Sequence, residues 1–188
     1  ALPILAGCHA IDAARWFADK DPDRAAVPVE VFAYSGGWRK GKEVEYDYFK
    51  NAWKPAPPLE YDDLEVALVR YSNGALSKVS TNYGCVMPYM LPVEVFGTRG
   101  TIRDNRVWSH KFPGQRGWVE IPTILPESAD VSHHPFQGEM DHFVDCVLNG
   151  RESHCSLADA VLTHSIVFAS LRCYETGQPV RLPLEEFL

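Results

Sequence analysis

Residues 64–83 have the sequence LEVALVRYSNGALSKVSTNY, and this stretch decides the fold. Two runs of strand-forming residues flank the turn formers Ser-Asn-Gly at 72–74, and this pattern predicts a β-hairpin. Side chains of the first strand alternate between two faces, one with Leu64, Val66 and Leu68, the other with Glu65, Ala67, Val69 and Tyr71. Neither face is polar throughout, so we expect both to be covered, one of them by a second subunit.

Other secondary-structure signals surround this hairpin. They predict a helix over 8–18, a strand over 27–34, short strands over 92–96, 101–103, 106–110 and 117–121, a helix between Pro135 and Gly150, a helix over 157–176 and an edge strand over 180–182. The last helix follows a capping-box-like Ser156-x-x-Asp159 and is apolar on most sides, so we expect it to lie buried between layers. This order predicts an α+β fold, an open and largely antiparallel sheet with helices packed on one face.

The size and composition are those of one ordinary globular domain. The chain has 188 residues, of which 46% are hydrophobic and 23% are charged. Residues 35–62 form a long insertion rich in prolines and aromatic residues. Loops of this length are uncommon unless they are functional, so we expect this one to pack against its own domain or a partner. We therefore predict a single domain over 1–188 with an insertion at about 35–62.

Charge and cysteine usage exclude several classes of partner. The net charge of −7 argues against a nucleic-acid partner, which favours clustered lysine and arginine. No apolar run is long enough to cross a bilayer and no signal segment opens the chain, so we expect no membrane partner. The five cysteines form no C-x-x-C pair, which favours reduced thiols and a cytoplasmic location.

The first predicted helix carries the residues nearest to chemistry. At 100° per residue, His9 and Asp12 lie together on the side opposite the apolar stripe. Imidazole exchanges a proton near neutral pH, and a carboxylate one turn away can fix its tautomer and stabilise its protonated form. A simple polar contact at the start of a helix fits this geometry equally well.

Other polar groupings are weaker candidates for a site. Cys8 and His9 point about 100° apart on a helix, which argues against a thiolate–imidazole pair. The Gly97-x-x-Gly100 turn links two strands, and no dinucleotide or Walker sequence is present, so we expect no nucleotide site on this chain. A third grouping consists of His133, His134, Glu139 and His142. It lacks the H-E-x-x-H order and is better explained as the polar start of a helix, so we expect no metal site.

The segment Gly7-Cys8-His9-Ala10-Ile11-Asp12 resembles the G-x-H-x-x-D helix of the glucose–fructose oxidoreductase / inositol dehydrogenase (Gfo/Idh/MocA) family. Three further segments resemble that family in the same order. They are Asn-Gly-Ala at 73–75, VFGTRGTI at 95–102, and the closing stretch over 136–182 with Thr-Gly-Gln-Pro-Val at 176–180. Together these motifs span nearly the whole chain.

The resemblance implies the C-terminal substrate-binding and oligomerisation domain of that family, with a fold similar to the C-terminal domains of dihydrodipicolinate reductase and glyceraldehyde-3-phosphate dehydrogenase. Such a C-terminal domain follows an N-terminal Rossmann domain that binds NAD or NADP. The Rossmann domain is absent from the chain. The resemblance also implies that His9 lies near the nicotinamide and substrate as an acid/base or substrate ligand, with Asp12 as its motif partner. The parent enzyme would oxidise or reduce a hydroxyl-bearing carbon of a sugar or polyol.

Two departures from the family pattern favour a second hypothesis. Many dehydrogenases of the family carry an aspartate four residues before the histidine, where this chain has Leu5. The family's E-K-P lysine belongs to the cofactor domain, so we do not expect the isolated chain to be active. The alternative is a non-catalytic binding or dimerisation module of the same fold. In both cases we expect a homodimer or homotetramer formed through the sheet.

Overall fold

The structure is a computed structural model that describes residues 7–19, 26–88, 91–121 and 136–184. The predictions about Leu5 and about the loop with His133 and His134 lie outside the described residues. The chain divides into two compact units, one over 1–87 and 154–188, the other over 88–153. Each unit is built around its own antiparallel sheet.

The described residues form three helices and ten strands. The helices are α1 Cys8–Ala18, α2 Phe136–Leu148 and α3 Leu157–Thr176. The strands are β1 Pro28–Gly36, β2 Val44–Asp47, β3 Ala52–Pro55, β4 Leu64–Tyr71, β5 Leu76–Asn82, β6 Glu94–Gly97, β7 Gly100–Arg103, β8 Arg106–Ser109, β9 Val119–Glu120 and β10 Val180–Arg181.

The first unit contains a four-stranded sheet in the order β10-β1-β4-β5, antiparallel throughout. The predicted hairpin is confirmed as β4 and β5. Its turn places Gly74 at a φ of 89°, which glycine adopts without strain. The Asn73 side chain accepts from the backbone N–H of Ala75 at 3.0 Å and donates to the carbonyl of Ala18 at 3.0 Å. The turn is therefore tied to the end of α1.

Helices α1 and α3 pack on one face of this sheet, which confirms the α+β fold. The covered face is the one that carries Glu65, and the core between the layers includes Ile11, Val31, Ala67, Val69, Tyr71, Ile166, Val167 and Cys173. On the opposite face Tyr34, Leu68 and Leu76 are exposed. One face of β4 is thus covered by helices and the other is exposed, although both carry apolar residues.

Helix α3 begins and ends as the sequence predicts. The Ser156 side chain accepts from the backbone N–H of Asp159 at 3.3 Å, and Gly177 ends the helix at a φ of 66°. The prediction that this helix lies buried between layers is wrong, because Leu157, Val161 and Phe168 are exposed. A helix that packs on a single sheet buries only one stripe of its surface.

The insertion contains a second hairpin that the sequence analysis did not predict. Strands β2 and β3 pair antiparallel within residues 35–62. The Asp47 carboxylate accepts from the backbone N–H groups of Phe49 and Lys50, both at 3.1 Å, and this contact shapes the connecting turn. The pKa of Asp47 is lowered, chiefly by the hydrogen bond from Lys50.

A buried carboxylate fastens the insertion to the sheet. Asp63 is 1% exposed, and its side chain accepts from the backbone N–H of Arg39 at 2.9 Å. Gly37 and Gly84 pack against it so closely that a Cβ at either position would collide with the carboxylate. Both glycines are therefore required by close approach, and Gly37 also has a φ of 120°.

The second unit is a meander of strands in the order β6-β7-β8-β9 together with α2. The short strands predicted between 92 and 121 are confirmed. In α2 the apolar side chains of Met140, Phe143, Val144, Val147 and Leu148 are exposed, whereas Cys146 is buried. No helix formed by the described residues is long and apolar enough to span a membrane.

The Asp63 contact generates a stability prediction. We expect Gly84→Ala to lower the free energy of unfolding by about 1–3 kcal/mol, because the added methyl displaces a buried, hydrogen-bonded carboxylate. Gly36→Ala is the matched control, since a Cβ there meets open space. Urea unfolding measures both, and equal stability of the two variants would contradict the packing described.

Candidate functional site

Helix α1 presents His9 on its outer side. Ile11 is buried in the core, whereas His9 is exposed, as the helical spacing predicts. The helix ends at Ala18, and the Asp19 carboxylate accepts from the backbone N–H of Ala26 at 2.8 Å. The imidazole therefore stands on a helix whose opposite side is fixed in the core.

The carboxylate of Asp12 is directed towards α3. Its Oδ1 accepts a hydrogen bond from the Thr163 hydroxyl at 2.7 Å and one from Arg15 Nη1 at 3.3 Å. Within the described part of the chain, no hydrogen bond joins Asp12 to His9. The two residues share the outer side of α1 as predicted, but the structure does not pair them. Their catalytic roles stay a prediction.

Arg15 lies at the centre of this contact. Its Nη1 donates to the Thr163 hydroxyl at 2.7 Å and to the Asp159 carbonyl at 3.2 Å, and its Nη2 donates to the Asp159 carboxylate at 2.8 Å. The side chain is only 9% exposed, so its charge needs such partners. We call Asp12, Arg15, Asp159 and Thr163 the interhelical clamp, because they join α1 to the first turns of α3.

Of the clamp residues, the sequence predicts Asp12 as a site residue and Asp159 only as part of a helix cap, and it does not single out Arg15 or Thr163. Arg15 follows Asp12 by three positions, and Asp159 precedes Thr163 by four, so each pair shares one face of its helix. This helical spacing is the sequence signal that each pair lies on one face of its helix. It does not reveal that the two pairs face each other across 144 or more positions of sequence.

A small cavity lies behind the first turn of α1. It is lined by Gly7, Ile11, Glu65, Ala67, Val79, Thr81, Ser170 and Tyr174. The Tyr174 hydroxyl is buried and has no hydrogen-bond partner among the described residues. Burial, and secondarily the Glu65 carboxylate, raise the pKa of Tyr174 well above its usual value, so the phenol remains a hydrogen-bond donor. The cavity is polar on one side and is suited to an internal water.

Two members of the histidine grouping, His133 and His134, lie outside the described residues. Across the described ranges, no group of three or more His, Cys, Asp and Glu side chains is placed to hold a metal ion. The turn between β6 and β7 packs Gly100 against the carbonyl of Trp108. The absence of a nucleotide site on this chain stays a prediction. All five cysteines are free thiols.

The clamp generates a second stability prediction. Thr163→Val keeps the side-chain shape but removes the hydroxyl that joins Asp12 to Arg15, leaving buried charge incompletely hydrogen-bonded. We expect the free energy of unfolding to fall by about 1–3 kcal/mol in urea titrations. Thr176→Val on the same helix removes an exposed hydroxyl and serves as the control. Equal effects of the two substitutions would contradict the importance of the clamp.

Comparison with known proteins finds a matching family model and a relative of known name. Residues 4–103 match a family model described as the GFO/IDH/MocA C-terminal domain. The scyllo-inositol 2-dehydrogenase (NAD(+)) of Bacillus subtilis (strain 168) is 25% identical over 185 residues, a match that covers 87% of this chain and 53% of that protein. The chain therefore spans about half the length of this relative.

Solved structures share the fold. An oxidoreductase domain protein from Kribbella flavida superposes with a TM-score of 0.68 at 16% identity, covering 95% of this chain and 49% of that one. Levoglucosan dehydrogenase, solved with NADH and levoglucosan, gives a TM-score of 0.67 at 19% identity, with the same two coverages. An oxidoreductase from Agrobacterium radiobacter, in complex with NAD+, L-tartaric acid and magnesium, gives 0.67 at 19% identity and covers 94% and 47%.

Proposed function

Because its residues 4–103 match the family's C-terminal domain, the chain belongs to the GFO/IDH/MocA family, and we propose that it is the substrate-binding part of an NAD(P)-dependent oxidoreductase. The observation that carries this proposal is the exposed His9 on a helix held by the interhelical clamp. A relative named for scyllo-inositol and a structure with levoglucosan support a sugar or polyol as the substrate.

We propose that His9 handles the proton of the substrate hydroxyl. Imidazole accepts this proton when the hydroxyl carbon is oxidised and returns it in the reverse reaction. A nicotinamide cofactor, held by an N-terminal Rossmann domain outside these 188 residues, would supply the acceptor or donor of the hydride. The solvent-facing position of His9 supports this role, since a bound substrate must reach the imidazole.

Asp12 has a positioning role in this proposal. Its hydrogen bonds with Thr163 and Arg15 fix α1 against α3, and so fix the place from which His9 projects. Small displacements of a catalytic group are costly, because proton transfer needs hydrogen-bond distance. Asp12 would therefore act through the helix it anchors.

The catalytic role of His9 is tested in the protein that includes its nucleotide-binding domain. We expect His9→Asn to lower kcat between about 10²- and 10⁴-fold, since a positioned acid/base contributes this much. NADH absorbance with cyclic polyols measures the rate. His110→Asn, an exposed histidine of the second unit, is the control. Unchanged turnover of His9→Asn would end this assignment.

We further propose that a second copy of the chain covers the free face of the first sheet, giving a homodimer or homotetramer. The exposed Tyr34, Leu68 and Leu76 on this face support the proposal, because such apolar patches favour association. Leu68→Glu is expected to shift the sedimentation coefficient to that of the monomer. Leu157→Glu, exposed on α3, is the control and retains the oligomer. A wild-type chain that sediments as a monomer would contradict the proposal.

A cytoplasmic location is proposed on the basis of the five free thiols. A second candidate function, a non-catalytic binding or dimerisation module, is favoured by Leu5 at the position of an aspartate in many family dehydrogenases. The turnover measurement separates the two functions, since a module binds polyols without reducing NAD or NADP.

A further inference from the structure

The hairpin formed by β2 and β3 has two unlike faces. Glu45 and Lys54 pair across one face, and their side chains form an ion pair at 2.8 Å. Tyr46 and Trp53 pair across the other face. The charged side chains of Glu45 and Lys54 thus lie on the face opposite the two aromatic rings.

Trp38 extends this aromatic face. Its ring meets Trp53 edge to face, with centroids 5.1 Å apart and an interplanar angle of 75°, and Tyr46 lies 5.3 Å from Trp53. Trp38 is 49% exposed and Trp53 is 41% exposed. We call Trp38, Tyr46 and Trp53 the aromatic platform.

Polar contacts with neighbouring backbone carbonyls hold the aromatic platform in place. Trp38 Nε1 donates to the carbonyl of Gly84 at 2.8 Å. Arg39 is 5% exposed, and its Nε donates to the carbonyl of Val44 at 2.7 Å. With the buried carboxylate of Asp63, these contacts fix the hairpin without burying its rings. The exposed rings are therefore presented in a fixed arrangement, as a binding surface requires.

The insertion that carries the platform is anchored near the end of the sheet where α1 begins. Glu65 lines the cavity behind Gly7, at the start of the helix that carries His9. Asp63, which anchors the insertion, precedes Glu65 by two residues, or about 7 Å along an extended strand. The residue that anchors the insertion and the first turn of α1 therefore lie near the same end of the sheet.

A polar rim borders the rings. The Tyr46 hydroxyl donates to the Asn51 side chain, and Asn51 has a φ of 51°, a left-handed conformation that asparagine tolerates better than most residues. The Asn51 amide nitrogen can donate a hydrogen bond to a ligand hydroxyl group, and the Tyr46 oxygen can accept one. Apolar ring faces bordered by a few hydrogen-bonding groups match a ligand with an apolar C–H face and a hydroxylated edge.

We propose that Trp53, the central ring of the aromatic platform, stacks against one face of a six-membered polyhydroxylated ring, a pyranose or a cyclitol, with Trp38 bordering the ligand and Tyr46 and Asn51 bonding hydroxyl groups at its edge. The inference rests on the proposed function and assigns residues of the insertion to the binding of its substrate. It makes Trp53 and Trp38 determinants of specificity within the insertion.

Binding to the 188-residue chain is the first test. The chain is titrated with scyllo-inositol, levoglucosan and acyclic glycerol, followed by tryptophan fluorescence and calorimetry. We expect binding of the cyclic probes and not of glycerol. Trp53→Ala is expected to weaken that binding about tenfold, and Trp53→Phe to restore most of it. Trp118→Ala, an equally exposed tryptophan of the second unit, leaves binding unchanged. Circular dichroism shows that each variant is folded.

Several outcomes overturn the inference. One is a wild-type chain that binds no cyclic probe, and another is a folded Trp53→Ala variant with unchanged affinity. A third is a Trp53→Ala variant that loses its oligomeric state but binds the probes normally, which would make the platform a contact between copies.

Turnover separates this inference from the proposed function. In the protein with its nucleotide-binding domain, Trp53→Ala raises KM about tenfold with little change in kcat, whereas His9→Asn lowers kcat. A normal rate in His9→Asn refutes the catalytic role and leaves the platform standing. A normal KM in Trp53→Ala refutes the platform and leaves the catalytic role standing.

Discussion

The buried guanidinium of Arg15 is the interaction on which the candidate site depends. It joins two helices that are distant in sequence, through a carboxylate, a carbonyl and a hydroxyl of α3. A buried charge is costly unless it is paired and hydrogen-bonded, so the packing of α1 on α3 depends on these contacts of Arg15. His9 lies six positions before Arg15 and takes its orientation from the same helix. The clamp thus sets the position of the imidazole without touching it.

The first sheet organises the remaining features around one of its ends. The helices cover the face that carries Glu65, whereas Tyr34, Leu68 and Leu76 on the other face are exposed. At one end of the sheet, Asp63 fastens the insertion, and Glu65, two positions along the chain, lines a cavity with Gly7 at the start of α1. A rigid sheet with a presented loop at its end is a common arrangement for binding sites, because the scaffold fixes the loop at low entropic cost.

Local sequence signals predicted much of this fold. Helical spacing defined α1, the Ser-Asn-Gly turn defined the hairpin of β4 and β5, and Ser156 and Gly177 marked the ends of α3. The predictions failed where the answer depends on contacts distant in sequence. The burial of α3 is set by a single sheet, and the partner of Asp12 is set by α3. Strands β2 and β3 have four residues each, too few for a clear alternation.

A double-mutant cycle tests the central claim, that Asp12 acts through the clamp and not through His9. Asp12→Asn is combined with Thr163→Val in one cycle and with His9→Asn in the other, and the free energy of unfolding is measured for each variant. We predict a coupling energy of about 1 kcal/mol between Asp12 and Thr163, and additivity within about 0.5 kcal/mol between Asp12 and His9. A larger coupling with His9 than with Thr163 would contradict this role of Asp12.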